Sequence, residues 1–135
     1  MQFQATIVSL LGLTAFAMAA PSADPATILA RDNTGDLTYY EVGLGACGVT
    51  NVDTDMIAAI SEDLYDANNV GTNPNNNPLC GKFINISYGG KTLQVQVEDR
   101  CTGCAYYDLD LSPSAFQQFA DESVGRLTGA TWNWA

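Results

Sequence analysis

Residues 93–116, LQVQVEDRCTGCAYYDLDLSPSAF, carry the densest pattern in the chain. Apolar and polar residues alternate over 93–98, which predicts a β-strand because successive side chains of a strand point to opposite faces. The odd positions are expected to face a core, and Glu98 to face solvent. Asp99 keeps the inward parity, where a carboxylate is costly unless it is hydrogen-bonded, paired or at the rim of a cleft. Asp99 is therefore a candidate site residue.

A second carboxylate follows where a short strand runs into a helix. Residues 108–111 alternate again, so Asp108 and Asp110 are expected to share one face. Ser112 and Pro113 predict a helix start, because serine caps the first turn and proline is tolerated at the first helical position. Asp110 thus lies at the mouth of a strand-to-helix junction and is the second candidate.

The N-terminal segment has the pattern of a secretory signal peptide. Its apolar run ends in the small-residue sequence AMA at 17–19 and is short for a membrane-spanning helix. We expect residues 1–19 to be a signal peptide, 20–34 a pro-segment or linker, and 35–135 one extracellular domain. A membrane anchor is the alternative.

The composition is acidic and lacks histidine. Fifteen Asp and Glu against five Lys and Arg give a net charge of −10. The scattered basic residues form no stripe for phosphates, and an anionic membrane would repel the chain. Without histidine there is no His-dependent triad and no His zinc site. Nucleic acid and membrane are therefore unexpected partners, a neutral polysaccharide is compatible, and no metal or organic cofactor is indicated.

Four cysteines in a small exported chain predict two disulfides, with three possible pairings. We favour Cys47 with Cys80 and Cys101 with Cys104. The C-x-x-C spacing of the second pair also occurs in redox motifs and zinc sites, but zinc would need another close cysteine pair. Structural disulfides are the favoured interpretation.

The rest of the domain consists of short predicted elements. A glycosylation sequon begins at Asn85, which is a candidate glycosylation site. The many strands and few helices indicate a mainly β fold, a small barrel with helices at its ends. Strands are predicted at 35–42, 55–60, 82–88, 91–98, 108–111 and 127–134, helices after Ser61 and Ser112, and a loop at 68–78.

These features resemble the single-domain fungal expansin-like and loosenin-like proteins, whose RlpA-like domain is a six-stranded double-psi β-barrel of the barwin-like superfamily. The matching motifs cover nearly all of 35–135. They are Thr38-Tyr39-Tyr40, Gly45-Ala46-Cys47-Gly48, Cys80-Gly81, Val97-Glu98-Asp99-Arg100-Cys101, Asp108-Leu109-Asp110-Leu111-Ser112 and Gly129-Ala130-Thr131-Trp132.

The resemblance implies a secreted protein that binds cell-wall polysaccharide, cellulose or chitin, and loosens it without hydrolysis. We expect the protein to be a monomer. Asp110 matches the aspartate that expansin-type proteins need and that related endoglucanases use as general acid, with Asp99 and Thr38 beside it in the groove. Glu41 falls near the position of the endoglucanase base, and an inverting hydrolase needs two carboxyl groups about 6.5–9.5 Å apart. The aromatic candidates for stacking on sugar rings are Tyr39, Tyr40, Tyr106, Tyr107, Trp132 and Trp134.

Other functions stay open at this point. Barwin-like barrels include cysteine protease inhibitors and secreted effectors, for which residues 68–78 and 43–48 are the candidate contact surface. A weak glycoside hydrolase that depends on Glu41 is another possibility. In a purely structural alternative, the two acids cap the Ser112 helix and pair with Arg100.

Overall fold

The computed structural model describes residues 31–135, so the predicted signal peptide lies outside the described residues, as do residues 20–30 of the predicted linker. No helix in this part of the chain is long and apolar enough to cross a membrane. The elements are β1 (Asn33–Tyr39), β2 (Ile57–Ser61), α1 (Glu62–Asp66), a 3₁₀ turn (Pro74–Asn76), β3 (Phe83–Tyr88), β4 (Lys91–Cys101), β5 (Leu109–Leu111), α2 (Pro113–Gln117), a second 3₁₀ turn (Glu122–Val124) and β6 (Leu127–Trp134).

The six strands close into a barrel in the order β1-β5-β2-β4-β3-β6. Strand β1 runs parallel to β5, and β2 runs parallel to β4. The other four pairings, β1–β6, β2–β5, β3–β4 and β3–β6, are antiparallel. The barrel, its two short helices and its two disulfides confirm the predicted double-psi β-barrel.

Apolar side chains from every strand fill the barrel. Alternate residues of each strand point inward, and burying one large apolar side chain stabilises the fold by about 1.5–3 kcal/mol. Helix α2 contributes Phe116, whose ring packs on Tyr39 with the centroids 4.9 Å apart. The core includes Leu37, Ile60, Ile84, Ile86, Val95, Val97, Leu109, Leu111, Phe116 and Trp132, each at most 1% exposed.

Both helices start at the predicted serines. The Oγ of Ser61 accepts a hydrogen bond from the Leu64 amide at 3.2 Å, and the Oγ of Ser112 accepts one from the Ala115 amide at 3.3 Å. Such caps contribute about 1 kcal/mol each. Because α2 starts immediately after β5, its cap fixes the end of the strand that carries Asp110.

A β-bulge in β4 overturns the predicted orientation of Glu98. Ala58 pairs with Val97 and the next residue, Ala59, pairs with Asp99, so Glu98 has no partner on β2. An extra residue of this kind breaks the alternation of side chains along the strand. Glu98 is only 6% exposed instead of facing solvent. Burial raises the pKa of its carboxyl group.

Replacement of this carboxyl in Glu98→Gln is expected to stabilise the protein at pH 7 by on the order of 1 kcal/mol. Because the pKa of Glu98 is raised in the folded state, its protonated carboxyl contributes its full stability at any pH below the pKa that Glu98 has in the unfolded chain. That stability is lost as the pH rises through the folded-state pKa. Thermal unfolding between pH 3 and pH 8 measures the effect. The variant should unfold at a higher temperature than wild type at pH 7 and at the same temperature at the acid end.

The matched control is Glu41→Gln, because Glu41 is exposed. It should leave the unfolding temperature unchanged across the same pH range. A Glu98→Gln variant that is less stable than wild type at pH 7 would contradict the assignment of a desolvated carboxylate.

The connection from β4 to β5 lies directly on β1. A Cβ atom on Gly35 would stand 2.1 Å from the carbonyl oxygen of Tyr107, so the close approach requires glycine. The Asp36 amide donates to Oδ1 of Asp108 at 2.8 Å, and Nε1 of Trp132 donates to the Tyr107 carbonyl at 2.8 Å. These contacts hold the connection at one end of the barrel.

Candidate functional site

A cleft of about 370 Å³ opens where β1, β5, β2 and β4 lie side by side. Strand pairing sets its floor, because Thr38 is opposite Asp110, and Ala59 is opposite both Asp110 and Asp99. The two predicted carboxylates therefore meet across the small Ala59 side chain. Residues 100–104 and Arg126 complete the wall.

Among the described residues, one oxygen of the Asp110 carboxyl group accepts a hydrogen bond and the other has no donor. The Thr38 hydroxyl donates to Oδ1 at 2.8 Å. Oδ2 lies 3.9 Å from Sγ of Cys101, which is disulfide-bonded and has no proton to donate. Burial raises the pKa of Asp110, the Thr38 hydrogen bond and the Arg126 charge oppose this, and the Asp99 charge adds to it. Asp110 thus keeps its proton to a higher pH than an ordinary aspartic acid and can donate it from Oδ2.

Asp99 is an acceptor for three surrounding groups. Its Oδ1 accepts hydrogen bonds from the amides of Ala46 and Arg100, each at 2.8 Å, and its Oδ2 accepts one from the Tyr40 hydroxyl at 2.9 Å. Burial and the neighbouring Asp99 raise the pKa of Tyr40, so this phenol stays protonated as a donor. Asp99 therefore fixes the Tyr40 ring and the residues around Ala46 at the edge of the cleft.

The two arginines of the cleft are held by acids outside it. The Arg100 guanidinium donates to Asp66 at 2.6 and 2.9 Å and lies 3.3 Å from Glu62. The alternative in which Asp99 and Asp110 pair with this side chain is therefore wrong. Asp66 has its pKa lowered by the same contact.

Arg126 belongs to the cleft and was missed by sequence reasoning. It precedes β6, and its Nη1 donates to Asp36 at 3.0 Å and lies 3.8 Å from Asp108. Its charge lowers the pKa of Asp110, against the effect of burial. A single arginine outside any motif offers no sequence signal, because it is brought to the cleft only by closure of the barrel through β1–β6 pairing.

The predicted tyrosines fall into three environments. Tyr40 lines the cleft. Tyr39 packs on Phe116 at the barrel core. Tyr106 and Tyr107 are each 42% exposed and form an edge-to-face pair with centroids 4.8 Å apart, just beyond the disulfide loop. Only the last two present open ring surface outside the cleft.

The remaining predicted site residues, Trp132, Glu41 and Trp134, do not line the cleft either. Trp132 is 1% exposed and belongs to the core, so its prediction as a stacking surface is wrong. It points inward because it is paired with the inward-facing Ile86. Glu41 is exposed and does not line the cleft. Trp134 is half-buried and lies edge-on to Trp132.

Both predicted disulfides are present, and they have different surroundings. Cys101–Cys104 forms a wall of the cleft beside Asp110. Cys47–Cys80 joins the β1–β2 connection to the residues that precede β3. The candidate glycosylation residue Asn85 is half-buried on β3, where its Oδ1 accepts a hydrogen bond from Gln94 at 3.1 Å.

The parallel pairs, the closed barrel and the acid-lined cleft define the class of the protein as a barwin-like double-psi β-barrel. Comparison with known proteins identifies the family within this class. The chain is 38% identical over 124 residues to the papain inhibitor of Streptomyces mobaraensis, covering 88% of this chain and 82% of the inhibitor. It is 39% identical over 113 residues to an Asp f 7 allergen homolog of Arthroderma benhamiae, covering 74% of this chain and 38% of that protein. No family model matches.

Two solved structures share the fold. The Streptomyces papain inhibitor superposes with a TM-score of 0.71 at 35% identity, over 79% of this chain and 96% of the inhibitor. A point mutant of Clavibacter michiganensis expansin in complex with cellohexaose gives a TM-score of 0.62 at 26% identity, over 78% of this chain and 50% of the expansin. The chain belongs to the family of the Streptomyces papain inhibitor, within the barwin-like, expansin-like double-psi β-barrels. It spans only 38% of the allergen homolog.

Proposed function

We propose that the protein binds a β-linked cell-wall polysaccharide in the cleft and loosens its packing without cleaving bonds. The observation that supports this most directly is Asp110, a half-buried carboxyl with a raised pKa and one free oxygen. A protonated Oδ2 donates a hydrogen bond to a glycosidic or hydroxyl oxygen. That bond replaces one between neighbouring glycan chains.

Hydrolysis would need a second carboxylate free to activate water. Asp99 accepts three hydrogen bonds from the protein, and Glu41 lies outside the cleft. Neither is arranged as a base opposite Asp110. The cleft thus holds a candidate acid without an available base, which favours disruption of noncovalent contacts over bond cleavage.

The side chains that line the cleft and one structural relative support a carbohydrate ligand. Hydroxyl, carboxyl and phenol groups from Thr38, Asp110 and Tyr40 suit the hydroxyl groups of a sugar chain. The expansin neighbour is solved with cellohexaose, a β-linked glucan. The exposed rings of Tyr106 and Tyr107 lie beyond the disulfide loop and extend the site with apolar surface for pyranose faces.

The test is a pull-down of the purified secreted protein on insoluble cellulose and on insoluble chitin. Soluble reducing ends are measured in the same tubes. We expect depletion of the protein from solution with no release of sugar above the protein-free control. Failure to bind both polymers would contradict the proposal. Sugar release that disappears in Glu41→Gln would instead identify a hydrolase.

We also propose that the protein is secreted as a single glycosylated domain. Two disulfides within one small domain suit an oxidising compartment, which supports secretion after removal of residues 1–19. The domain would start near residue 35 and act as a monomer. Asn85 would carry a glycan on the outer wall of β3.

A second candidate function is inhibition of a papain-like cysteine protease. It is favoured by the identity of 38% to a papain inhibitor across 82% of that protein. The expected result is slower hydrolysis of a peptide substrate by papain when the protein is added. Unchanged papain activity at a large molar excess of the protein would exclude it.

A further inference from the structure

Three large apolar side chains project from residues 43–52 of the β1–β2 connection, here called the 43–52 loop. Leu44 is 76% exposed, Val52 59% and Val49 44%. Single exposed apolar residues are normal on protein surfaces, but three within ten residues of one loop make it a candidate interaction site. The 43–52 loop is acid-free, although the chain as a whole carries a net charge of −10.

The 43–52 loop is braced by its own backbone. The Gly45 amide donates to the Val49 carbonyl at 3.0 Å, and the Asn51 amide donates to the Gly43 carbonyl at 2.9 Å. Between them the Gly48 amide donates to the Gly45 carbonyl at 3.0 Å. These bonds form a short hairpin, so the exposed apolar groups are presented from a defined conformation.

The hairpin is also fastened to the barrel. Cys47 is joined to Cys80 by a disulfide, and the Ala46 amide donates to Oδ1 of Asp99 at 2.8 Å. The Cys47 amide donates to the Glu98 carbonyl at 3.3 Å. A loop tied at its middle in this way loses little conformational entropy when it binds a partner.

The neighbouring 68–78 segment supports the hairpin from the side. Gly48 has φ of +80°, and a Cβ atom there would meet the Asn75 side chain at 2.8 Å. Asn77 is buried, where it donates to the Tyr65 carbonyl at 2.7 Å and accepts from the Leu79 amide at 2.9 Å. Residues 73–77 therefore have a structural role. The 68–78 segment exposes one large apolar side chain, Val70 at 63%, whereas the 43–52 loop exposes three.

We infer that the 43–52 loop is the inhibitory edge, which inserts Leu44, Val49 and Val52 into the substrate cleft of a papain-like cysteine protease. This rests on the second proposed function and adds the contact surface to it. Rigid protease inhibitors bind with little backbone change, and a pre-organised loop fits this mode. Side-chain pockets of a protease cleft provide the burial that these apolar groups lack in the free protein.

The experiment measures the inhibition constant against papain for the secreted wild-type protein, Leu44→Ser, Val52→Ser and Val124→Ser. Val124 is the matched control, since it is a valine of similar exposure, 55%, in the 3₁₀ turn Glu122–Val124. We expect each loop variant to weaken inhibition about tenfold or more, and the control to leave it unchanged. Thermal unfolding should be the same for all four proteins, because every replaced side chain is exposed.

The outcomes separate the inference from the function on which it rests. If wild type does not inhibit papain, the second proposed function fails and the inference fails with it. If wild type inhibits and both loop variants inhibit equally well, the inhibitory function stands and the 43–52 loop is not the contact. Should Leu44→Ser fail to fold, Val52→Ser provides the same comparison with Val124→Ser.

Discussion

The Asp110→Asn variant is expected to lose glycan loosening by about tenfold or more while keeping the stability of the wild type. The asparagine side chain keeps an oxygen that can accept the Thr38 hydrogen bond, but the amide N–H that replaces the carboxyl O–H is a weaker hydrogen-bond donor and does not titrate. Loosening is measured as the fall in breaking force of wet cellulose paper, and binding as depletion on the same polymer. Thermal unfolding at pH 7 gives the stability.

The stability result follows from the direction of the pKa shift. The folded-state pKa of Asp110 is raised, so its contribution to stability is full below the unfolded-state pKa and is lost as the pH rises through the folded-state pKa. At neutral pH the neutral amide removes that loss, so the unfolding temperature should be equal or higher. The control is Asp63→Asn, which makes the same change at an exposed position of α1. Full loosening by Asp110→Asn would contradict the role of this carboxyl.

Loosening should also depend on pH in the same direction. The proposed donor is the protonated form of Asp110, whose pKa is raised mainly by burial. Activity should therefore be highest in acid and fall as the carboxyl ionises. The residual activity of Asp110→Asn should be flat over the same range, because no proton is bound or released at that position.

Local rules predicted much of this fold from the sequence. The cap at Ser112 and the β3–β4 hairpin follow from the residues at the ends of each element, and both are present. The two disulfides were chosen from three pairings and are those observed. Thr38 and Asp110 were both predicted as site residues. They are 72 positions apart in the sequence and lie opposite each other in the barrel.

The failures come from features that depend on tertiary structure. The bulge opposite Ala58 and Ala59 shifts the alternation of β4, so parity misassigned Glu98 to solvent. Trp132 was named as a stacking candidate from the family resemblance, although the alternation of β6 places it in the more buried set, where it lies. Arg126 enters the cleft only through barrel closure, which no local pattern records.

Loss of the Cys47–Cys80 disulfide is expected to destabilise the protein far more than loss of Cys101–Cys104. The bridges join residues 33 and 3 positions apart, so the entropy of the closed loop predicts losses of about 4 and about 1.5 kcal/mol. The first bridge is also packed inside, with the Tyr65 hydroxyl 3.3 Å from Sγ of Cys80. Urea unfolding of the two double cysteine-to-alanine variants at pH 7 measures the difference.

Glycan binding in the cleft should depend on the two disulfides in the opposite order, more on Cys101–Cys104 than on Cys47–Cys80. Cys101–Cys104 forms the wall beside Oδ2 of Asp110, so its removal frees the 101–104 segment and should weaken glycan binding in a protein that remains folded. Removal of Cys47–Cys80 leaves the cleft lining in place but frees the 43–52 loop. Under conditions where this variant is folded, it should therefore lose more papain inhibition than glycan binding. Equal destabilisation by both variants would contradict the loop-entropy account. Unchanged glycan binding without Cys101–Cys104 would show that this bridge does not shape the cleft.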